Sequence, residues 1–242
     1  MPSPLPPEMV DLIVDHLCDE RSTLRTCCVV SKSWIPRTRK HLFCHVEFLS
    51  SKFHIEHWKK TFPDPSNSPA HYARSLTVCG LPVIPAADPG AGGWIRAFCN
   101  VVRLHLEHAP RVDRLVPLTP FHGLSPAVRS LRLTATSSEI FDLVCSFPLL
   151  EDLALTALRP ADGAVGWSIP SASPRLTGPL YLTTITMTVL RLDEDLKSAN
   201  TLVSRYSGTL ESLTICYPFM SMLPSVSFSD QFLTAVRECR RA

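Results

Sequence analysis

The sequence predicts an α/β fold: a small helical head, then an irregular series of parallel strands with helical or loop returns. Three observations carry this. Apolar residues recur at helical spacing through the first 45 positions, an apolar-x-x-Leu-x-apolar hexad recurs along the rest of the chain, and the gaps between hexads are either helically spaced or proline-containing. The chain has 242 residues, 45% hydrophobic and 19% charged, which is enough apolar material for a sizeable core. With 22 prolines against 9 glycines, many stiff breaks between short elements are expected.

The head opens on Leu5-Pro6-Pro7-Glu8, where proline presets a helix start and the carboxylate meets the positive end of the helix dipole. Val10, Ile13, Val14 and Leu17 keep the i, i+3, i+4, i+7 spacing, and Met9 and Leu12 extend the apolar surface to a second side. Ser22 is the expected cap of a second helix carrying Leu24, Cys27 and Cys28. Val30-Ser31-Lys32-Ser33-Trp34 turns into a third, with Trp34, His41 and Leu42 on one face and Pro36 limiting where it begins. A segment of about 40 residues rarely buries enough surface to stand alone, and this one is apolar on more than one side. It is expected to need a partner surface. Residues 61–71 are proline-rich and without periodicity, so the expected division is a helical module at 1–49, a linker at 50–72 and a strand-rich domain at 73–242.

The hexads of that domain are Ala73-Arg-Ser-Leu76-Thr-Val78, Val101-Val-Arg-Leu104-His-Leu106, Val128-Arg-Ser-Leu131-Arg-Leu133, Leu150-Glu-Asp-Leu153-Ala-Leu155 and Leu210-Glu-Ser-Leu213-Thr-Ile215. Leu176-Thr-Gly-Pro-Leu180-Tyr-Leu182 fits as a sixth with one extra residue. Between them, 93–100, 138–146 and 195–206 carry helical spacing, whereas 82–93 and 159–179 are proline- and glycine-containing loops. Alternation along each strand sends the Leu and Val positions to the core and the intervening side chains to the opposite face. That face is expected to present Ser75 and Thr77, Arg103, His105 and Glu107, Arg132 and Thr134, Asp152 and Thr156, Tyr181 and Thr183, and Ser212 and Thr214. A polar, adaptable strip of this kind suits a protein-binding surface. Its candidate substrate-binding residues are Arg103, His105, Glu107, Arg132, Thr134, Asp152, Tyr181, Thr183 and Thr214.

The central leucines 76, 104, 131, 153, 180 and 213 lie 28, 27, 22, 27 and 33 residues apart, mostly within the period of about 20–29 of leucine-rich repeats. In the head, Leu5-Pro6-x-Glu8, the apolar series through Ile13 to Leu17, Leu24 and Val30-Ser-Lys-Ser-Trp34 resemble an F-box. The whole chain therefore looks like an F-box module followed by an irregular leucine-rich-repeat-like solenoid. The resemblance implies a substrate-recognition adaptor of a Skp–cullin–F-box ubiquitin ligase. By it, Leu5, Pro6, Ile13, Leu17, Leu24, Val30 and Trp34 lie in or support the contact with the Skp adaptor, and the repeats bind a protein substrate. The alternative is a leucine-rich-repeat binding scaffold that recruits no ligase. The asparagine usually found three residues after the last template leucine is replaced by Leu81, Ala109, Thr136, Leu158, Ile185 and Pro218, so the repeats are expected to be irregular.

Other functions leave no trace. No G-x-S-x-G, G-x-x-x-x-G-K-[ST] or H-E-x-x-H occurs, and Gly90-Ala-Gly92-Gly93 follows a proline loop and has no lysine, so neither catalysis nor a cofactor is expected. Nine cysteines, none in a C-x-x-C pair and with no secretion signal, predict reduced thiols packed among apolar neighbours, as for Cys27, Cys28, Cys145 and Cys216. His41, Cys44, His45, His54 and His57 gather five metal-capable side chains in a spacing that matches no zinc pattern. Net charge is 24 − 22 = +2, with five acids in residues 1–20 and nine bases against two acids in 21–60. The bases have few aromatics among them, so a solvated helical face is expected and no nucleic-acid partner. No apolar run approaches the roughly 18 residues a bilayer span needs, and the expected setting is cytoplasmic or nuclear.

Overall fold

The computed structural model describes residues 5–49, 51–80, 93–107, 118–134, 140–156, 181–188, 203, 205–206 and 208–216. Over these the chain is α/β, with several helices and a seven-stranded parallel sheet whose strands follow one another in sequence order. The expected glycine-containing loops and most of the helix at 195–206 lie outside the described residues.

The head holds three helices, as its periodicity predicts. Helix α1 (Pro7–His16) starts on a proline with Glu8 in its first turn. Helix α2 (Arg21–Val30) begins one residue before the expected cap: Glu20 stands at its entrance, accepting a hydrogen bond from Thr23 Oγ1 at 2.9 Å, and Ser22 is inside the first turn. Ser31 caps a short 3₁₀ turn (Lys32–Trp34), which runs into α3 (Ile35–Leu42) with Pro36 in the first turn, where a missing N–H costs nothing. Val10, Val14 and Leu24 form a buried cluster of their own, closed by Leu17, Trp34 and Leu42. Asp15 of α1 binds α3 across it, accepting from Arg37 Nε at 2.6 Å and a second Arg37 nitrogen, and contacting His41 Nε2 at 2.7 Å.

The sheet begins earlier than expected. Strand β1 (His45–Phe48) pairs with β2 (Ser75–Cys79), so the boundary at residue 49 cuts behind a strand that belongs to the sheet. Phe43-Cys-His-Val46-Glu-Phe48 is a hexad with Val in the central position. Residues 50–72 are not a bare linker: they hold helix α4 (Ser51–Thr61) and 3₁₀ turns at Pro65–Asn67 and Pro69–Tyr72, with Asp64 and Ser68 as caps. Trp58 of α4 packs edge-on to Phe43 and Phe48, and Phe48 meets Trp94 and Phe98, so an aromatic cluster closes the first turn of the sheet core.

Strands β3 (Arg103–Glu107), β4 (Ser130–Thr134), β5 (Asp152–Thr156) and β7 (Ser212–Cys216) fall where the hexads predict. Strand β6 (Thr184–Thr188) does not: the sixth hexad is Leu182-Thr-Thr-Ile185-Thr-Met187, in place of 176–182. The observed segment needs no inserted residue and is rich in β-branched side chains, while the expected one would put Gly178-Pro179 inside a strand. Registers are strict, with Val46, Leu76, Leu104, Leu131, Leu153, Ile185 and Leu213 lining up side by side. The first hexad position is buried in six successive units, at Ala73, Val101, Val128, Leu150, Leu182 and Leu210.

One backbone device repeats with the hexad. The carbonyls of Cys44, Arg74, Val102, Arg129, Glu151 and Thr183, each two residues before the central position, accept two N–H groups from the next unit. Each strand is thereby started by the one before it, and both donors are satisfied within the protein. Behind the sheet, α5 (Gly93–Arg96), a 3₁₀ turn (Thr119–Gly123) and α6 (Ile140–Cys145) bring Phe98, Phe121 and Phe147 into full burial.

Candidate functional site

Two surfaces stand out, one on the head and one on the sheet. Helix α1 is apolar on two sides and spends only one of them on folding. Val10 and Val14 turn into the head core, whereas Met9 with Leu12 and Ile13, three and four residues further on, stays exposed along one stripe of the helix, and Leu5 is exposed just before it. Leu12 is 63% exposed. At the end of α2, Val29 and Val30 are 82% and 61% exposed, just before the 3₁₀ turn that touches both α1 and α2. Six of the ten large hydrophobic side chains exposed among the described residues therefore lie between residues 5 and 30.

The expected adaptor-contact residues divide accordingly. Leu5, Pro6, Ile13 and Val30 are exposed, while Leu17, Leu24 and Trp34 sit in or against the head core and position the others. Met9, Leu12 and Val29 add to the stripe. Met9 and Leu12 are signalled in the sequence by the second apolar side of the first helix. Val29 carries no signal beyond its type, since helical spacing alone does not say which face lacks a neighbour.

The head is held in shape by Asp15, whose carboxyl is kept well below the usual carboxylate range by the Arg37 guanidinium and then by His41. Arg21 donates to the His45 carbonyl at 3.0 Å, tying α2 to the first strand. Of the nine bases at 21–60, Arg21, Arg37 and Lys59 are thus engaged within the protein, the last with Glu56 at 3.1 Å. His41 is taken by Asp15, and among the described residues no three His, Cys, Asp or Glu side chains converge to hold a metal ion. No helix among them is long and apolar enough to cross a membrane.

On the sheet, the pleat sends the non-core positions to one face in registered rows. Arg103 faces Ser130, and Ser130 faces Asp152; His105 faces Arg132; Glu107 faces Thr134, and Thr134 faces Thr156; Thr214 faces Thr186. Arg103, His105, Glu107, Arg132, Thr134, Asp152 and Thr214 therefore share the expected face. Tyr181 and Thr183 do not lie on a strand: Tyr181 is in the turn before β6, and Thr183 bonds through both its N–H and its hydroxyl to the Glu151 carbonyl. Their places are taken by Thr184, Thr186 and Thr188. The face changes character along the sheet, from charged and imidazole groups on β1, β3 and β4 to hydroxyls on β6 and β7.

Local chemistry tunes a few of these groups. Burial, and then the Arg132 cation, push the His105 imidazole below its ordinary value, so it is neutral at pH 7. The Cys79 thiol donates to Glu107 Oε2 at 3.3 Å and is pushed up to about 11, by burial first and Glu107 second. Cys216, expected among apolar neighbours, is placed on the outward face of β7 by the strand alternation and is exposed. No family model, curated protein or solved structure matches the chain.

Proposed function

We propose that the chain is a substrate-recognition adaptor of a Skp–cullin–F-box ubiquitin ligase, its F-box-like head docking the Skp adaptor and its leucine-rich-repeat-like solenoid holding a protein client on the polar sheet face. One observation carries this: the head completes a core from Val10, Val14 and Leu24 and still leaves Leu5, Met9, Leu12, Ile13, Val29 and Val30 in water. Exposed apolar side chains gathered on one small module mark an interface with another protein. Four of the seven residues that the F-box resemblance assigns to that contact or its support are among the exposed ones or adjoin them: Leu5, Pro6, Ile13 and Val30. The rest of the chain contributes no reacting group in this account. It raises the local concentration of client lysines near a charged conjugating enzyme, a proximity effect.

Co-purification of the full chain with the Skp adaptor tests the proposal. Wild type should retain the adaptor, and a variant carrying Leu5→Asp with Ile13→Asp should lose it while keeping its circular dichroism and unfolding midpoint. No association by wild type, or equal association by the folded variant, removes the ligase model and leaves a binding scaffold.

A further inference from the structure

On the outward face of β3 and β4, four donor-bearing side chains form a two-by-two patch: Arg103 opposite Ser130, and His105 opposite Arg132. None of the four makes a side-chain hydrogen bond or ion pair with any described residue. Both arginines are exposed. Elsewhere in the chain the guanidinium groups that meet acids do so closely, as Arg37 with Asp15 and Arg129 with Glu151 at 2.5 Å. The patch thus offers two unpaired planar forks and a hydroxyl on a surface fixed by the backbone ladder. A neutral imidazole between the forks adds a donor without adding charge.

Its immediate neighbours limit what it accepts. Glu107 follows His105 on the same face, occupied with the Cys79 thiol, and Asp152 faces Ser130. Two cations and two acids leave the neighbourhood close to neutral, so an anion is held there by directional bidentate contact, and the separation of the two arginines on the β3–β4 register suits one carboxylate on each. The two arginines are offset by one strand and two residues, about 8 Å for a strand spacing of about 4.8 Å and a rise of about 3.3 Å per residue. Alternate side chains of an extended peptide lie about 6.6 Å apart on one side, within the compass of two flexible guanidinium stems.

We infer that Arg103 and Arg132 receive the two carboxylates of an acidic-x-acidic segment of a client protein lying extended across β3 and β4, with Ser130 and His105 donating to the same oxygens. This deepens the client-holding half of the proposed function, rests on that half, and is independent of the head. The test is fluorescence anisotropy of the full chain with labelled Gly-Ser-Glu-Ser-Glu-Ser-Gly, at low and high salt. The glutamate peptide should bind at least about tenfold more tightly than its Gln-x-Gln counterpart, and weaken as salt rises. R103Q and R132Q should each weaken it about tenfold, as expected for loss of a charge-assisted pair, with K59Q on α4, a cation removed outside the sheet face, leaving it unchanged. Equal binding of the two peptides, or undiminished binding by both arginine variants, overturns the inference. So does binding of a phosphoserine peptide alone, which would make the patch a phosphate site. Loss of Skp-adaptor binding with the peptide affinity intact would sink the ligase model and leave this site standing.

Discussion

Truncating Leu131 to alanine perturbs the sheet at its middle strand and exposes how the core is shared. Leu131 is 1% exposed and lies in register between Leu104 and Leu153, which are equally buried. The substitution removes three carbons, worth about 2.4 kcal/mol at about 0.8 kcal/mol per buried methylene. Because Leu104 and Leu153 are pinned by their own backbone ladders, the site relaxes little, and the residual cavity brings the loss to about 3–4 kcal/mol. Leu213 occupies the same hexad position on β7 but is only half-buried, so Leu213→Ala should cost about 1 kcal/mol. Urea unfolding followed by circular dichroism reads both losses as midpoint shifts at constant slope. An equal cost at the two positions, or a cost under about 1 kcal/mol for Leu131→Ala, would refute the reasoning that register and burial set each hexad's contribution.

Other consequences follow from single groups. Asp15 is held below its ordinary carboxylate value in the folded head, so its contribution is full above the unfolded value of 3.8 and is lost as pH falls through that value toward the folded one. The urea-midpoint gap between wild type and Asp15→Asn should therefore narrow from about pH 6 to about pH 2.5, and a gap that stays constant would contradict the Asp15–Arg37–His41 bracket. Cys79, with its thiol at about 11 and bonded to Glu107, should alkylate far more slowly near neutral pH than exposed Cys18 or Cys99, and Glu107→Gln should speed it up; peptide mass spectrometry of a labelling time course reads this. Gly80 ends β2 at φ +63° with open space around its α-carbon, so Gly80→Ala should cost about 1 kcal/mol in the same urea assay from backbone strain alone.

Much of this architecture was legible in the chain, for a definite reason. A strand with one buried face needs strict alternation, and Leu at the central position recurs at a repeat-length step, so β2 to β5 and β7 could be located from the sequence pattern alone. The misses mark where two signals overlapped. Val46 stands where the other units have Leu, and its hexad abuts a helix that also uses Leu42, so β1 was absorbed into the head. At the sixth unit, Leu180 and Leu182 competed with Ile185 and Met187; strand propensity favours the second pair, and the slip moved Tyr181 and Thr183 off the face they were expected to share. The head's two apolar sides were visible, but not which one folding would consume: Ile13 keeps company with Val10 and Val14 by spacing and with Met9 and Leu12 by exposure. The bracket of Asp15 by Arg37 and His41 spans 22 to 26 residues and depends on how α3 crosses α1, which no local pattern encodes.

The stripe on α1 and the end of α2 are the heart of the account, and a calorimetric titration of the purified full chain with purified Skp adaptor tests them most directly. Wild type should bind one to one, and Leu12→Asp with Val30→Asp should weaken binding at least about hundredfold, since central apolar anchors cost about 2 kcal/mol or more each when lost. Because both side chains are already in water, the unfolding midpoint should hardly move. Absence of binding by wild type, or the same affinity in the double variant, would contradict the claim that this exposed apolar surface is a docking face.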